Sequence, residues 1–359
     1  MTTGALAELM AYTQAHAGPA GNRMADFVAA YFESADPDEI AVRGAATLFA
    51  IANAHWRLLD APRAARTARV RVFNPTLAED GFVSEHTSIQ IVHDDMPFLV
   101  DSVTMAVNRS GRTAHWIVHP LLLVARNAEG RISNVGSVAA AAASQHQDAI
   151  ESLIMVECDR IVSVIERDKL AAEVAQVLTD VRGAVQDWSA ILARVDAVCL
   201  ASGNAPLSDA SRQEGIAFLR WLEDRHFTFL GARDYDLVRD GDQVTLIARD
   251  DSGLGILRGP AQTGASVLPP EAVALIDTDE LVLVTKAMTR ATVHRPAWLD
   301  YIGVKRYNGA GEVCGETRFL GLYTSTAYSA AGVRRIDHAT HQQRSPHRRR
   351  PLRRLGVLP

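Results

Sequence analysis

The sharpest alternation of apolar and polar residues runs from Thr87 to Val92, where Ile89 and Ile91 fall on one face of a strand. After Pro97 the period lengthens. Leu99, Val103 and Ala106/Val107 recur at helical spacing, and Gly111 supplies the residue that ends such a helix. Arg69–Phe73, Trp116–Arg126 and Glu151–Cys158 also read as strands, and Val138–Ala143 as part of a surface loop. The longest helical stripe follows, with Leu170, Val174, Val177, Val181, Val185 and Trp188 on one face of Arg167–Trp188. Strand, helix, strand, strand, helix is the βαββα order of a ferredoxin-like sandwich.

On either side the pattern changes. The first sixty residues predict helices that cap a later domain. Asp36-Pro37-Asp38-Glu39 is a helix start, and Ile40, Leu48, Ile51, His55 and Leu58 follow it as a stripe, with Thr47 its polar member. A polar linker, Ala201–Ser208, leads to a helix near Ser211–Glu223. Five strands are then expected, at Phe227–Leu237, Gln243–Ala248, Leu281–Thr285, Tyr301–Tyr307 and Arg318–Tyr323, with hairpin signals at Asp240-Gly241 and Asn308-Gly309. The class is therefore α+β, with an N-terminal helical segment (1–65), a βαββα domain (66–200), a mostly antiparallel domain (205–329) and a basic tail (330–359). The tail mixes Arg, His and Pro without apolar periodicity and is expected to be disordered.

Composition narrows the function classes. The net charge is −5, but eight arginines against Asp337 put +7 on residues 330–359 and leave −12 on the rest. An acidic body argues against a nucleic-acid partner. The apolar stretches are too short to span a bilayer, and no secretory signal opens the chain. Three widely spaced cysteines, Cys158, Cys199 and Cys314, fit a reducing compartment, so a cytoplasmic protein is expected.

No catalytic, cofactor-binding or metal-binding residue emerges from the motifs. His115 and His119 have the spacing of a helical zinc pair, but Trp116, Ile117, Val118 and Pro120 favour a strand, which separates the rings by roughly 13 Å. Gly253-Leu254-Gly255-Ile256-Leu257-Arg258-Gly259 has one residue too many for a dinucleotide fingerprint and reads as a surface loop. Glu157, Asp159 and Arg160 are expected to form a local ion-pair cluster, and Lys286, His294 and Arg295 to be solvated or paired.

One stretch stands apart. Asp94-Asp95-Met96-Pro97-Phe98-Leu99-Val100-Asp101-Ser102 joins the clearest strand to a helix. Asp95 as helix cap and Pro97 in the first turn explain it structurally. The alternative is a ligand turn made of Asp94, Asp95, Pro97, Phe98 and Asp101, whose exposed amides would take a small anion or an amino-acid carboxylate. The two neighbouring aspartates instead favour an amino group.

This stretch also resembles the N-terminal region of the large bacterial NAD-specific glutamate dehydrogenases. So do Phe218–Leu222, His226–Gly231, Thr292–Pro296, Tyr301–Arg306 and Gly315–Ser325, in the same order, and the resemblance runs from about residue 20 to 329. It implies an ACT-like domain followed by a PAS-like one, with regulation or assembly as their role. The implied partners are further copies, the remainder of the dehydrogenase, and an amino-acid effector. NAD is the cofactor of the intact enzymes, and this chain contains no match to their catalytic lysine or nucleotide fingerprint. Many ACT domains have glycine where Phe98 stands, and its ring restricts ligand approach to the turn. The family sequence would continue past Tyr328. The Arg/His/Pro tract therefore reads as a frameshifted or truncated gene copy, with the family sequence ending near Ser329. A free-standing amino-acid-binding module is the alternative reading.

Overall fold

The computed structural model describes residues 2–18, 21–33, 35–138, 149–241, 243–261 and 265–328. The expectations for the basic tail, and for most of Val138–Ala143, lie outside them. Two units are resolved, divided at Thr179/Asp180.

The first unit begins with helices α1 (Thr2–His16), α2 (Gly21–Tyr31), α3 (Pro37–Arg43) and α4 (Ala45–Asp60). Asp36 caps α3, accepting from the Asp38 amide, and Pro37 occupies its first turn. The apolar stripe that suggested one helix across this region is broken at Gly44, whose φ of 74° only glycine adopts at little cost. Strands β1 (Arg69–Phe73), β2 (Thr87–Asp94), β3 (Ala114–Val118), β4 (Leu121–Arg126), β5 (Ile132–Ser137) and β6 (Ala149–Cys158) form one antiparallel sheet. Between them lie the short α5 (Leu77–Asp80) and α6 (Leu99–Arg109); α7 (Val164–Gln186) follows.

β6 sits between β2 on one side and β3 and β4, end to end, on the other. This is the central arrangement of a ferredoxin-like sheet. The outer position beside β2 is filled by β1, which precedes it in the chain, and β5 extends the opposite edge. The single strand expected over Trp116–Arg126 is two segments. Pro120 lacks an amide proton and interrupts the ladder, although its carbonyl still accepts from Leu153 at 3.1 Å.

One face of the sheet shares its core with the N-terminal helices: Phe27, Tyr31, Leu48, Ile51 and Leu59 pack with Val92, Val118, Leu153 and Met155. Ile89 and Ile91, opposite Val156 and Ile154, point the other way and are fully buried. His55 locks α4 to the sheet. One ring nitrogen lies 2.8 Å from the Tyr31 hydroxyl and the other 3.0 Å from the Ile91 carbonyl, and burial lowers its pKa to about 3.

The second unit has helices α8 (Trp188–Ser202) and α9 (Asp209–Trp221), capped by Ser208. Its strands are β7 (Phe227–Asp240), β8 (Gln243–Ala248), β9 (Leu254–Gly255), β10 (Ala265–Val267), β11 (Val282–Arg290), β12 (Trp298–Tyr307) and β13 (Val313–Tyr323), with α10 (Pro270–Ile276) before β11. The sheet order β8-β7-β13-β12-β11 is that of a PAS-like sheet, with β10 added beside β8. Both expected hairpins form, at β7–β8 and β12–β13. Ile191, Val195, Phe218 and Leu219 from the helices bury Phe227, Phe229, Ile302 and Phe319 of the sheet.

Candidate functional site

The acid-proline turn continues the β2 ladder for one residue. Asp94 stands opposite Glu151 of β6, and the Asp95 amide donates to the Ile150 carbonyl at 3.0 Å. The chain then turns at Pro97 and Phe98 into α6. The cap differs from the expectation. Phe98, not Asp95, is the cap residue, at φ 73° and ψ 0°, and it supplies no side-chain hydrogen bond. Two residues after Pro97 the backbone has already closed into α6, with the Ser102 amide donating to the Phe98 carbonyl at 3.0 Å. Phe98 therefore keeps a glycine-like backbone path at a cost of about 1–2 kcal/mol. Its half-buried ring stands where a glycine would leave space.

The five turn residues have separate roles. Asp95, Pro97 and Asp101 are exposed, while Asp94 is tied into an internal ion cluster. Arg63, 4% exposed at its side chain, reaches Asp94 at 2.7 Å and Glu151 at 2.9 Å. Arg126 grips Glu151 with two parallel bonds of 2.7 and 2.8 Å. It also donates to the carbonyls of Leu59 and Gly130. Burial opposes the charge of Arg63, yet Glu151 and Asp94 together push its pKa up. Two cations thus balance two carboxylates that face each other across adjacent strands. Gly130 has φ 75°, and a Cβ there would lie 2.6 Å from the Arg63 carbonyl, so the β4–β5 turn docks against Arg63 only as glycine.

Sequence reasoning missed Arg63, Glu151 and Arg126, because their partners come from distant segments. The signal available was Glu151, an acid just before the apolar centre of a strand, Leu153–Val156. His119 lies beside the same turn. Burial lowers its pKa, the Asp95 charge opposes that, and its ring is 2.7 Å from the Ser152 hydroxyl.

Other expectations are corrected. Glu157, Asp159 and Arg160 do not pair with one another. Glu157 takes Arg43 at 2.9 Å, Asp159 accepts from the Thr113 amide and lies against His115, and Arg160 donates to the Ser84 carbonyl. As expected, by contrast, Lys286 is paired, with the buried Asp300 at 2.5 Å, and Arg295 donates to the Tyr323 carbonyl. The glycine-rich stretch is not a free surface loop, because the Gly255 amide donates to Asp187 at 2.7 Å and Arg258 pairs with the same carboxylate. The Leu257 and Gly259 carbonyls accept from the buried Arg233. Dinucleotide binding needs free amides converging on a pyrophosphate. This loop uses its Gly255 and Ile256 amides internally and turns carbonyls toward a cation, so its residues do not fit NAD. Among the described residues no cluster of His, Cys, Asp or Glu is arranged to hold a metal ion. No helix among them is long and apolar enough to cross a membrane.

The βαββα core with an added edge strand, followed by a PAS-like sheet, defines an ACT-type protein with a second α+β unit. Residues 27–174 match the family described as glutamate dehydrogenase, ACT1 domain. The chain is 37% identical over 268 residues to the NAD-specific glutamate dehydrogenase of Halomonas elongata, covering 73% of this chain and 16% of that protein. It is 33% identical over 310 residues to the protein of the same name from Pseudomonas aeruginosa, covering 84% and 19%. The Mycobacterium tuberculosis protein of that name is 28% identical over 293 residues, covering 78% and 16%. The chain belongs to the large NAD-specific glutamate dehydrogenase family, and it spans less than a fifth of the length of these relatives.

Proposed function

We propose that this chain is a regulatory and assembly region of an NAD-dependent glutamate dehydrogenase. The whole enzyme would convert glutamate and NAD to 2-oxoglutarate, ammonium and NADH. The observation that carries this reading is the joint match: an ACT1 domain of that family over residues 27–174, and relatives named for the activity across most of the chain. The described site supports regulation rather than chemistry. Asp94 and Glu151 are neutralised by arginines, and the glycine loop that most resembles a cofactor cradle is filled from within. A cytoplasmic setting fits the NAD reaction and the three free cysteines.

The test uses the Pseudomonas aeruginosa relative. Deleting its segment equivalent to residues 27–328 should alter subunit assembly and the dependence of rate on glutamate concentration. Kinetics and assembly identical to the intact enzyme would refute the proposal. The 359-residue chain itself, mixed with glutamate and NAD, should produce no NADH absorbance at 340 nm.

A further inference from the structure

The chain contains three lysines, Lys169, Lys286 and Lys305, in three different settings. Lys169 is exposed, and Lys286 is ion-paired with Asp300. Lys305, near the end of β12, is half-buried, and no carboxylate among the described residues lies within ion-pair distance of it. Its amine donates instead to two uncharged oxygens of Thr278, the carbonyl at 2.7 Å and the hydroxyl at 3.1 Å. That hydroxyl gives its own proton to the Leu275 carbonyl at 2.8 Å, so toward the lysine it can only accept.

The acids nearest in charge are engaged elsewhere. Asp279 accepts from the Ser208 amide and the Ser211 hydroxyl, each at 2.9 Å, and Asp277 pairs with Arg239 at 3.2 Å. Burial pushes the Glu280 carboxyl up more than the Lys305 charge draws it down. An ammonium here would have a third N–H without a protein acceptor among the described residues. A neutral amine uses its two N–H bonds on Thr278 and keeps its lone pair. Burial accordingly lowers the Lys305 amine to about 8, although Glu280, Asp277 and Asp279 oppose this. A desolvated lysine of this kind is a nucleophile near neutral pH.

We propose that Lys305 is a covalent acylation site, that its amine takes an acyl group from a small thioester, and that the modification loosens the connection between α10 and β11. The lone pair attacks the thioester carbonyl, the C–N bond forms and the C–S bond breaks. The thiolate leaves and takes up the proton that the nitrogen loses. The surrounding charge selects this product. A carbamate from carbon dioxide, or an adduct of an oxo acid, would add negative charge beside three carboxylates, whereas an amide adds none. The amide nitrogen keeps a single N–H, so Thr278 loses a donor where the chain passes from α10 to β11. The inference concerns this chain's own reactivity and stands apart from its proposed place in a dehydrogenase.

The test exposes the 359-residue chain to S-acetyl-N-acetylcysteamine, a neutral thioester, across a pH series. Hydroxylamine then clears acyl groups from cysteine, and acetylation of each lysine is read by peptide mass spectrometry. At pH 7.5 Lys305 should react at least fivefold faster than Lys169 and Lys286, the internal controls. Its rate should reach half-maximum near pH 8, while that of the exposed Lys169 is still rising at pH 10. Neither reading needs a variant. Once Lys305 is acetylated, backbone hydrogen exchange over residues 277–281 should be at least threefold faster than in the untreated chain. A Lys305 rate no higher than that of Lys169, a Lys305 midpoint near pH 10, or unchanged exchange over 277–281 would each overturn the proposal.

Discussion

Both units bury charge, but they use it differently. In the first, Arg63, Arg126, Asp94 and Glu151 join the end of α4, the β4–β5 turn and the ends of β2 and β6. In the second, the buried polar group lies on neighbouring strands of one sheet face. Arg318 of β13 stacks on Tyr235 of β7 at 3.8 Å and Tyr301 of β12 at 4.8 Å, and pairs with Glu316 of its own strand at 3.0 Å. Burial, then the Glu316 carboxylate, pushes the phenol of Tyr301 upward. One cluster fastens connections to a sheet, and the other reinforces a sheet from within. Loss of a carboxylate should therefore be more damaging in the first, where two guanidinium groups depend on Glu151.

The largest expected effect breaks that first cluster. Glu151→Gln leaves Arg63 and Arg126 short of their common partner and should cost about 3–5 kcal/mol in urea unfolding. Glu316→Gln leaves Arg318 on two aromatic faces and should cost about 1–3 kcal/mol. Equal losses, or the reverse order, would remove the distinction between the two units.

The next effect is a pH dependence that differs between units. His55 has a folded pKa of about 3 against 6.5 in the open chain. Its contribution is therefore complete above pH 6.5 and is lost as pH falls toward 3. The first unit should lose about 2 kcal/mol by pH 5 from this group. Lys305 in the second unit, lowered to about 8 by burial against the pull of Glu280, Asp277 and Asp279, has its window elsewhere. Its contribution is complete only above pH 10.5 and is lost as pH falls through 8, so the second unit should gain stability from pH 8 upward. Hydrogen exchange at pH 5, 7 and 9, resolved by unit, checks both signs. A first unit with equal protection at pH 5 and 7 would rule out the buried neutral histidine.

The smallest effect isolates the cap of α6. Phe98→Gly and Phe98→Ala both remove the ring, but only glycine relaxes at φ 73°. The glycine variant should be more stable than the alanine variant by about 1 kcal/mol in thermal melts. Alanine matching or exceeding glycine would show that the positive φ carries no strain.

The sequence made the periodic parts of this architecture legible. β2, α6 and the two hairpins follow from local alternation, helical spacing and turn chemistry, which need no distant partner. What stayed hidden depends on long-range geometry or a single backbone angle. The apolar stripe runs straight through Gly44, so nothing in its spacing marks the break between α3 and α4. No glycine marks the positive φ of Phe98, and Asp95 is a better cap by residue type alone. Asp94 reads as part of a ligand turn because the arginine that claims it lies 31 residues upstream. The turn thus forms where the alternation of β2 ends, while the charge balance around Asp94 comes from distant segments.

The glycine loop between Gly253 and Gly259 bears on how such motifs are transplanted. Deleting one residue would restore the spacing of a dinucleotide fingerprint, but not its polarity. Carbonyl oxygens face Arg233, and the Asp187 carboxylate holds the Gly255 amide. An incoming pyrophosphate would meet an occupied amide and a buried acid. An engineer would have to remove Asp187 and Arg233 before correcting a single letter of the loop.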